Sequence, residues 1–175
     1  MSAEDARPLR GSVALDQDLD WNAVYADQLP RIYNYFRFRL APGHDVEELT
    51  ARTFEKAWRA RAQYRRDLAG FSTWLFAIAR NVVTDHLRSD AARIRTVTLV
   101  DPVDAMTPED TAMHSSDMAR LATLSTGLPE RHQELIALKY GATLNNRLIA
   151  EITGLSESNV GTTLQRIVEK LRSQW

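Results

Sequence analysis

Residues 148–160 read Leu148-Ile149-Ala150-Glu151-Ile152-Thr153-Gly154-Leu155-Ser156-Glu157-Ser158-Asn159-Val160, and this stretch decides the fold. Ala150, Gly154 and Val160 stand at relative offsets 0, 4 and 10. A tight helix-turn-helix needs a small residue where its two helices touch and favours glycine, with left-handed backbone angles, at the turn. A core aliphatic early in the second helix then locks the crossing. Leu148, Ile149 and Ile152 supply the first helix's apolar face; Val160, Leu164, Ile167 and Leu171 supply the second's, at steps of 4, 3 and 4. Ser156 is the expected N-cap of a helix over about 157–172. The opposite face of that helix carries Asn159, Thr162, Thr163, Arg166 and Lys170, groups able to contact base edges and phosphates in a major groove. A plain helical hairpin with a solvated polar face is the alternative, and the Ala/Gly/Val geometry disfavours it.

Upstream, Leu128-Pro129 predicts a helix with proline at its first position, running to about Tyr140 and stopped by Gly141. A short helix is expected over about 145–153. Residues 96–119 hold two prolines, several Ser and Thr, and no sustained helical period, which reads as a flexible interdomain linker. Its start, residues 96–100, is able to form a short strand but has no partner strand. Residues 21–95 again read as helices. One spans Trp21 to about Leu40, interrupted or kinked at Pro30 and ended by Pro42-Gly43. Asp45, three residues before Glu48, opens a second, whose buried face is Val46, Leu49, Thr53/Phe54 and Ala57/Trp58. After a break at 63–70, a third runs from about Ser72 to Ser89. Phe71, Trp74/Leu75, Ile78, Val82 and Leu87 are its core candidates, and Arg80, Thr84 and Arg88 form one polar stripe. The expected fold is all-α: two small helical domains, 21–95 and 120–175, joined by the acidic linker 96–119 and preceded by a mobile acidic tail, 1–20.

The 175-residue chain has no cysteine, which excludes a disulfide scaffold, a thiol nucleophile and thiolate zinc. No stretch approaches the roughly 20 apolar residues of a membrane span, and the first twenty residues have no signal-peptide h-region. A cytoplasmic protein with no membrane insertion of its own is expected. The net charge of −1 hides a pattern. The tail carries five acids and two bases; residues 21–95 carry thirteen bases and eight acids; 96–119 carry five acids and no base; 120–175 carry seven bases and five acids. Two basic blocks are therefore separated by an acidic one, an asymmetry that fits electrostatic partners.

In order along the chain stand Asp45-Val46-Glu47-Glu48-Leu49, Thr53-Phe54-Glu55-Lys56-Ala57-Trp58, residues 71–81 (FSTWLFAIARN) and Asp85-His86-Leu87-Arg88. Leu128-Pro129-Glu130-Arg131, Ile149-Ala150-Glu151-Ile152 and Gly154-Leu155-Ser156-Glu157 follow. This ordered set resembles the extracytoplasmic-function (group IV) sigma factors of bacterial RNA polymerase, over residues 21–175. The resemblance implies a division of labour. The helix from Asp45 to Arg59 would dock on the clamp helices of the polymerase's largest subunit through Asp45, Glu47, Glu48, Arg52, Glu55, Lys56 and Arg59. Here Ala51-Arg52 replaces a common Gln-Glu. Residues 63–70 and the following helix would recognise and melt the minus-ten element, with Tyr64, Arg65, Arg66, Phe71, Arg80, Asn81, Thr84 and Arg88 as candidate contacts. Captured single strands need stacking surfaces for bases and cations for phosphates, and this segment holds both. Phe71, Trp74 and Phe76 also suit the core, where aromatics dominate small domains.

The C-terminal helix-turn-helix would read the minus-thirty-five element as duplex, through Arg147, Ser156, Ser158, Asn159, Thr162, Thr163, Arg166 and Lys170. The family's cations just after the valine are replaced by Gly161-Thr162-Thr163. Fewer cations imply a shallower salt dependence and weak duplex binding by this lobe alone. The resemblance further implies an anti-sigma factor as a partner, and a linker whose acids mimic nucleic acid within a basic channel or serve as a solvated tether.

Three other readings compete. His44, His86, His114 and His132 look scattered with no metal-spaced pair, and no phosphate loop or nucleophile elbow is present, so no enzyme, metal or cofactor is expected. His86 is read as packing or capping locally. A helix-turn-helix transcriptional regulator that is not a sigma factor, with an N-terminal lobe sensing a ligand or phosphoryl group, would share the C-terminal lobe; a phosphoacceptor domain would alternate strands with helices. An interaction module such as a sequestered adaptor would gain no promoter binding from added polymerase core.

Overall fold

The computed structural model describes residues 20–40, 43–97, 124–125 and 127–173, with side chains in the second stretch described to residue 94. Every regular element among them is helical. The expectations for the tail before Asp20 and for most of the linker lie outside these residues, as does the Pro42 stop.

Asp20, assigned above to the tail, is the N-cap of α1 (Trp21–Arg39): its side chain accepts from the Asn22 and Ala23 amides. Pro30 lies inside α1 without ending it. The missing amide removes one bond to the preceding turn, and packing of Ile32, Tyr35 and Phe36, all fully buried, holds the helix through it. Asp45 caps α2 (Val46–Arg59), accepting from the Glu48 amide at 2.8 Å. Leu49, Thr50, Thr53 and Ala57 face inward, and the Thr50 and Thr53 hydroxyls donate to carbonyls one turn back. Trp58, expected on that face, is instead 51% exposed. A short 3-10 turn, Arg61–Gln63, leads into the loop before α3 (Phe71–Val97). That helix runs some eight residues past its expected end and takes Thr96 and Val97, the expected strand start. Its buried face is Leu75, Phe76, Ala79, Val82 and Val83, while Phe71, Trp74, Ile78 and Leu87 pack at the margin.

In the second lobe Pro129 is the N-cap of α4 (Glu130–Ile136), one position earlier than read. The helix then widens into a π turn, Ala137–Gly141, with the Ala142 amide bonded to the Ala137 carbonyl at 2.9 Å. Gly141 is a close-approach glycine rather than a simple stop. A Cβ there would stand 2.7 Å from the Asn34 carbonyl oxygen of α1. Asn145 caps α5 (Asn146–Thr153), Gly154 turns with φ +74°, and Ser156 caps α6 (Glu157–Arg172) by accepting from the Asn159 amide. Val160, Leu164, Ile167 and Leu171 are all buried, as their spacing required.

The lobes are not held apart. One continuous core runs from Ile32, Tyr35 and Phe36 of α1 to Leu135, Ile136, Ala137 and Leu138 around the α4 junction. Arg39, almost fully buried, reaches Glu130 at 2.8 Å and Gln133 at 3.0 Å. Arg80 clasps Glu134 at 2.6 and 3.3 Å and donates to the Ile152 carbonyl at 2.6 Å. Thr73 donates to Glu151 at 3.3 Å.

Candidate nucleic-acid interface

The loop after α2 is framed by rings. Tyr64 tilts against Trp74 with centroids 5.1 Å apart and meets Phe71 edge-on at 5.5 Å. Phe71 meets Trp21 at 5.6 Å, and Trp21 meets Trp58 at 5.5 Å. The Arg61 guanidinium lies 4.0 Å over the Trp58 ring. The Tyr64–Phe71, Phe71–Trp21 and Trp21–Trp58 contacts are edge-on, a geometry aromatic pairs favour. Burial pushes the Tyr64 phenol above its ordinary pKa.

Of the loop cations, Arg65 grips Asp67 with two bonds, at 2.9 and 2.7 Å. That pairing raises the guanidinium's pKa and lowers the carboxyl's. Arg66 is exposed and forms no ion pair among the described residues. Tyr64, Arg65, Arg66 and Phe71 are therefore brought together as read. Leu68, 75% exposed at the tip of the same loop, was missed; a single leucine among charges carries no sequence signal.

Along α3 the expected stripe divides. Asn81 and Arg88 are exposed two turns apart, on one side of the helix. Arg80 is turned into the interlobe clasp, and the Thr84 hydroxyl donates to the Arg80 carbonyl. Arg80 is not presented with Asn81 and Arg88, because Glu134 and the last turn of α5 hold it, and Thr84 is half-buried with its hydroxyl bonded to its own helix.

On α6, Asn159, Thr162, Arg166 and Lys170 are exposed, with Ser158 beside them at the first turn. Thr163 is half-buried and donates to the Asn159 side chain at 3.0 Å, fixing the amide's direction. The hydroxyl of Ser156 serves the cap. Arg147, exposed on α5, stands 3.6 Å from Glu151. Gly161 is half-buried, and a Cβ there would meet only the Asn146 amide nitrogen at 3.4 Å.

The outer face of α2 is mixed in charge and internally paired. Glu48 holds Arg52 and Glu55 holds Arg59, each one turn apart, and Lys56 lies 3.9 Å from Asp85 of α3. Arg52, the departure noted above, is thus partly neutralised by its own helix. Asp45 is exposed and occupied as a cap. Glu47 accepts from the Tyr33 hydroxyl at 3.0 Å, a bond that raises the phenol's pKa. All seven candidate docking residues line this exposed face. Trp58 extends it with an apolar surface at the junction with the ring cluster.

The histidines depart from expectation. His44, before the Asp45 cap, and His86 on α3 are 2.8 Å apart through ring nitrogens, and both approach Asp90. The His86-x-x-x-Asp90 spacing was the available signal, since i and i+4 share a helix face. Among the described residues, no helix is long and apolar enough to cross a membrane.

Residues 24–93 match the family described as sigma-70 region 2, and residues 118–171 the family described as sigma-70, region 4. An ECF RNA polymerase sigma factor of Streptomyces griseus, ShbA, is 31% identical over 82% of this chain and 81% of its own length. BldN, an ECF RNA polymerase sigma factor of Streptomyces coelicolor, is 30% identical over 85% of this chain; the match spans 57% of that relative. Among solved structures, the sigma factor RpoE co-crystallised with the anti-sigma factor NepR from Bartonella quintana shares the fold. It has a TM-score of 0.70 and 19% identity over 88% of this chain and 95% of that one.

Proposed function

The chain belongs to the ECF RNA polymerase sigma factors, and from that premise we propose that it binds polymerase core and directs initiation at promoters with minus-ten and minus-thirty-five elements. The observation that carries the reading is the coexistence of two surfaces of different chemistry, each suited to a different form of DNA. A ring-framed cationic loop (Tyr64, Arg66, Phe71) suits unstacked bases, and α6 presents a major-groove face led by Asn159, Thr162 and Arg166. A regulator that only reads duplex has no use for the first. The role is binding and positioning rather than catalysis, exercised in the cytoplasm where polymerase works.

The α2 face is the docking surface for the largest subunit's clamp helices. Its paired charges exchange partners on docking, so truncating one member has a modest effect and reversing several a large one. An anti-sigma factor is a natural partner for the same surfaces, by analogy with the co-crystallised relative.

The two promoter elements lie about 25 base pairs, or roughly 85 Å, apart along B-form DNA. Arg80 meanwhile bonds directly to Glu134 and to the Ile152 carbonyl. One chain spans both elements only if the lobes part, which frees Arg80 for the melted strand. Pull-down of the full chain by sigma-free core tests the docking surface. Wild type is expected to be retained, and a variant with Glu47, Glu48 and Glu55 changed to lysine lost. Equal retention of both would refute the assignment.

A further inference from the structure

Three donor atoms from separate parts of the first lobe converge at one point. His44 lies in the connection between α1 and α2; His86 and Asp90 lie one turn apart on α3. His44 Nδ1 stands 2.8 Å from His86 Nε2 and 3.2 Å from Asp90 Oδ2, and His86 Nε2 stands 3.3 Å from the same oxygen. We propose that these residues form a binding site for a divalent transition-metal ion of the zinc class, which clips the loop ahead of α2 to α3.

The distances suit this chemistry. With metal–ligand bonds of about 2.0–2.1 Å, the ligand atoms of a tetrahedral zinc site are about 3.3–3.4 Å apart. Two of the three edges here are already close to that length, and the third needs to open by about half an ångström. The three atoms therefore form one face of a tetrahedron, leaving the fourth position for water. Each residue offers one ligand atom, and the three atoms lie within 4.8 Å of one another. Without a cation, a single hydrogen on the line between the two imidazoles is all that separates them. Two imidazoles and a carboxylate, with no thiolate, suit zinc and its neighbours rather than calcium or magnesium.

The site also has features of construction. The three side chains are 21–25% exposed, shielded but open to an entering ion. Arg93 faces the other carboxylate oxygen, Oδ1, at 4.0 Å, which leaves Oδ2 for the histidines. His44 immediately precedes the Asp45 cap of the docking helix, and Arg88 stands on α3 between His86 and Asp90. Occupancy would therefore stiffen the joint between the docking and strand-capturing faces. The inference does not depend on the assignment to transcription.

The test uses metal-free full-length chain titrated with zinc sulfate by calorimetry, and with cobalt(II) followed by visible absorption. Wild type is expected to take up one equivalent, show the intense d–d bands of a four-coordinate cobalt site, and melt at a higher temperature with zinc. His44→Asn and Asp90→Asn should each weaken binding by at least about tenfold, and the zinc-dependent rise in melting temperature should disappear. His132→Asn, on α4, should behave as wild type. His44 is a loop residue, so its variant decides the matter if the α3 variant loses helical circular dichroism. Absence of saturable binding would overturn the proposal, and so would one-equivalent binding that survives His44→Asn unchanged.

Discussion

Tyr35 is fully buried where α1 meets α3, its ring 5.6 Å from Phe76, and its hydroxyl has no hydrogen-bond partner among the described residues. Burial pushes its pKa above the ordinary phenol value, and the nearby Glu134 adds to the shift. An unpaired buried hydroxyl costs about 1–3 kcal/mol, so Tyr35→Phe should stabilise the chain, by about 1 kcal/mol in urea unfolding. The native state keeps the neutral phenol, so this contribution is complete below pH 10. It is lost as pH rises beyond that, because the unfolded chain ionises first. Wild type should therefore lose stability above pH 10 more steeply than Tyr35→Phe; parallel pH profiles would contradict the burial argument. Arg66 makes a contrasting case. It forms no ion pair among the described residues, whereas Arg65 is held by Asp67. In the polymerase complex, Arg66→Ala should weaken promoter binding and reduce the slope of log affinity against log salt by about one. An unchanged slope would remove Arg66 from the phosphate contacts.

At the scale of elements, the helix-turn-helix was legible because its signals are local. Cap, turn glycine and apolar steps all lie within residues 145–171, and each found its expected place. Trp58 was misread because it follows Ala57 by about 100° around the helix, far enough to leave the buried face. The π turn was not legible at all. Gly141 looks like a stop in sequence, and only the approach of α1 to within 2.7 Å of a virtual Cβ reveals its packing role. Gly161 has no such constraint. Gly161→Ala should stabilise α6 by about 0.5–1 kcal/mol through helix propensity. Promoter selection should be unchanged, since the position is half-buried beside Val160 rather than on the exposed face with Asn159 and Arg166. Thermal melting checks the first part and selection from a promoter library the second; a lowered midpoint would show that Asn146 cannot yield.

Across the whole molecule, sequence reading expects two basic helical lobes and gives no sign that they share a core. The pairs that join them, Arg39 with Glu130 and Arg80 with Glu134, are 91 and 54 residues apart, and no local pattern encodes such partners. The near-neutral sum of charges acquires a structural counterpart here, because two bases of the first lobe, Arg39 and Arg80, are spent against acids of the second. Glu134→Gln keeps the shape and removes the charge that holds Arg80. Energy transfer between labels on the two lobes should fall, and promoter binding by the chain without polymerase should rise several-fold. Unchanged transfer efficiency would show that apolar packing alone sets the closed arrangement. The most direct test of the central claim is run-off transcription with the full chain, sigma-free bacterial core and a library of promoter fragments. Core-dependent transcripts starting at a defined position on a subset of fragments are expected. Binding of the chain to core without site-specific initiation on any fragment, with the cognate core supplied, would contradict it.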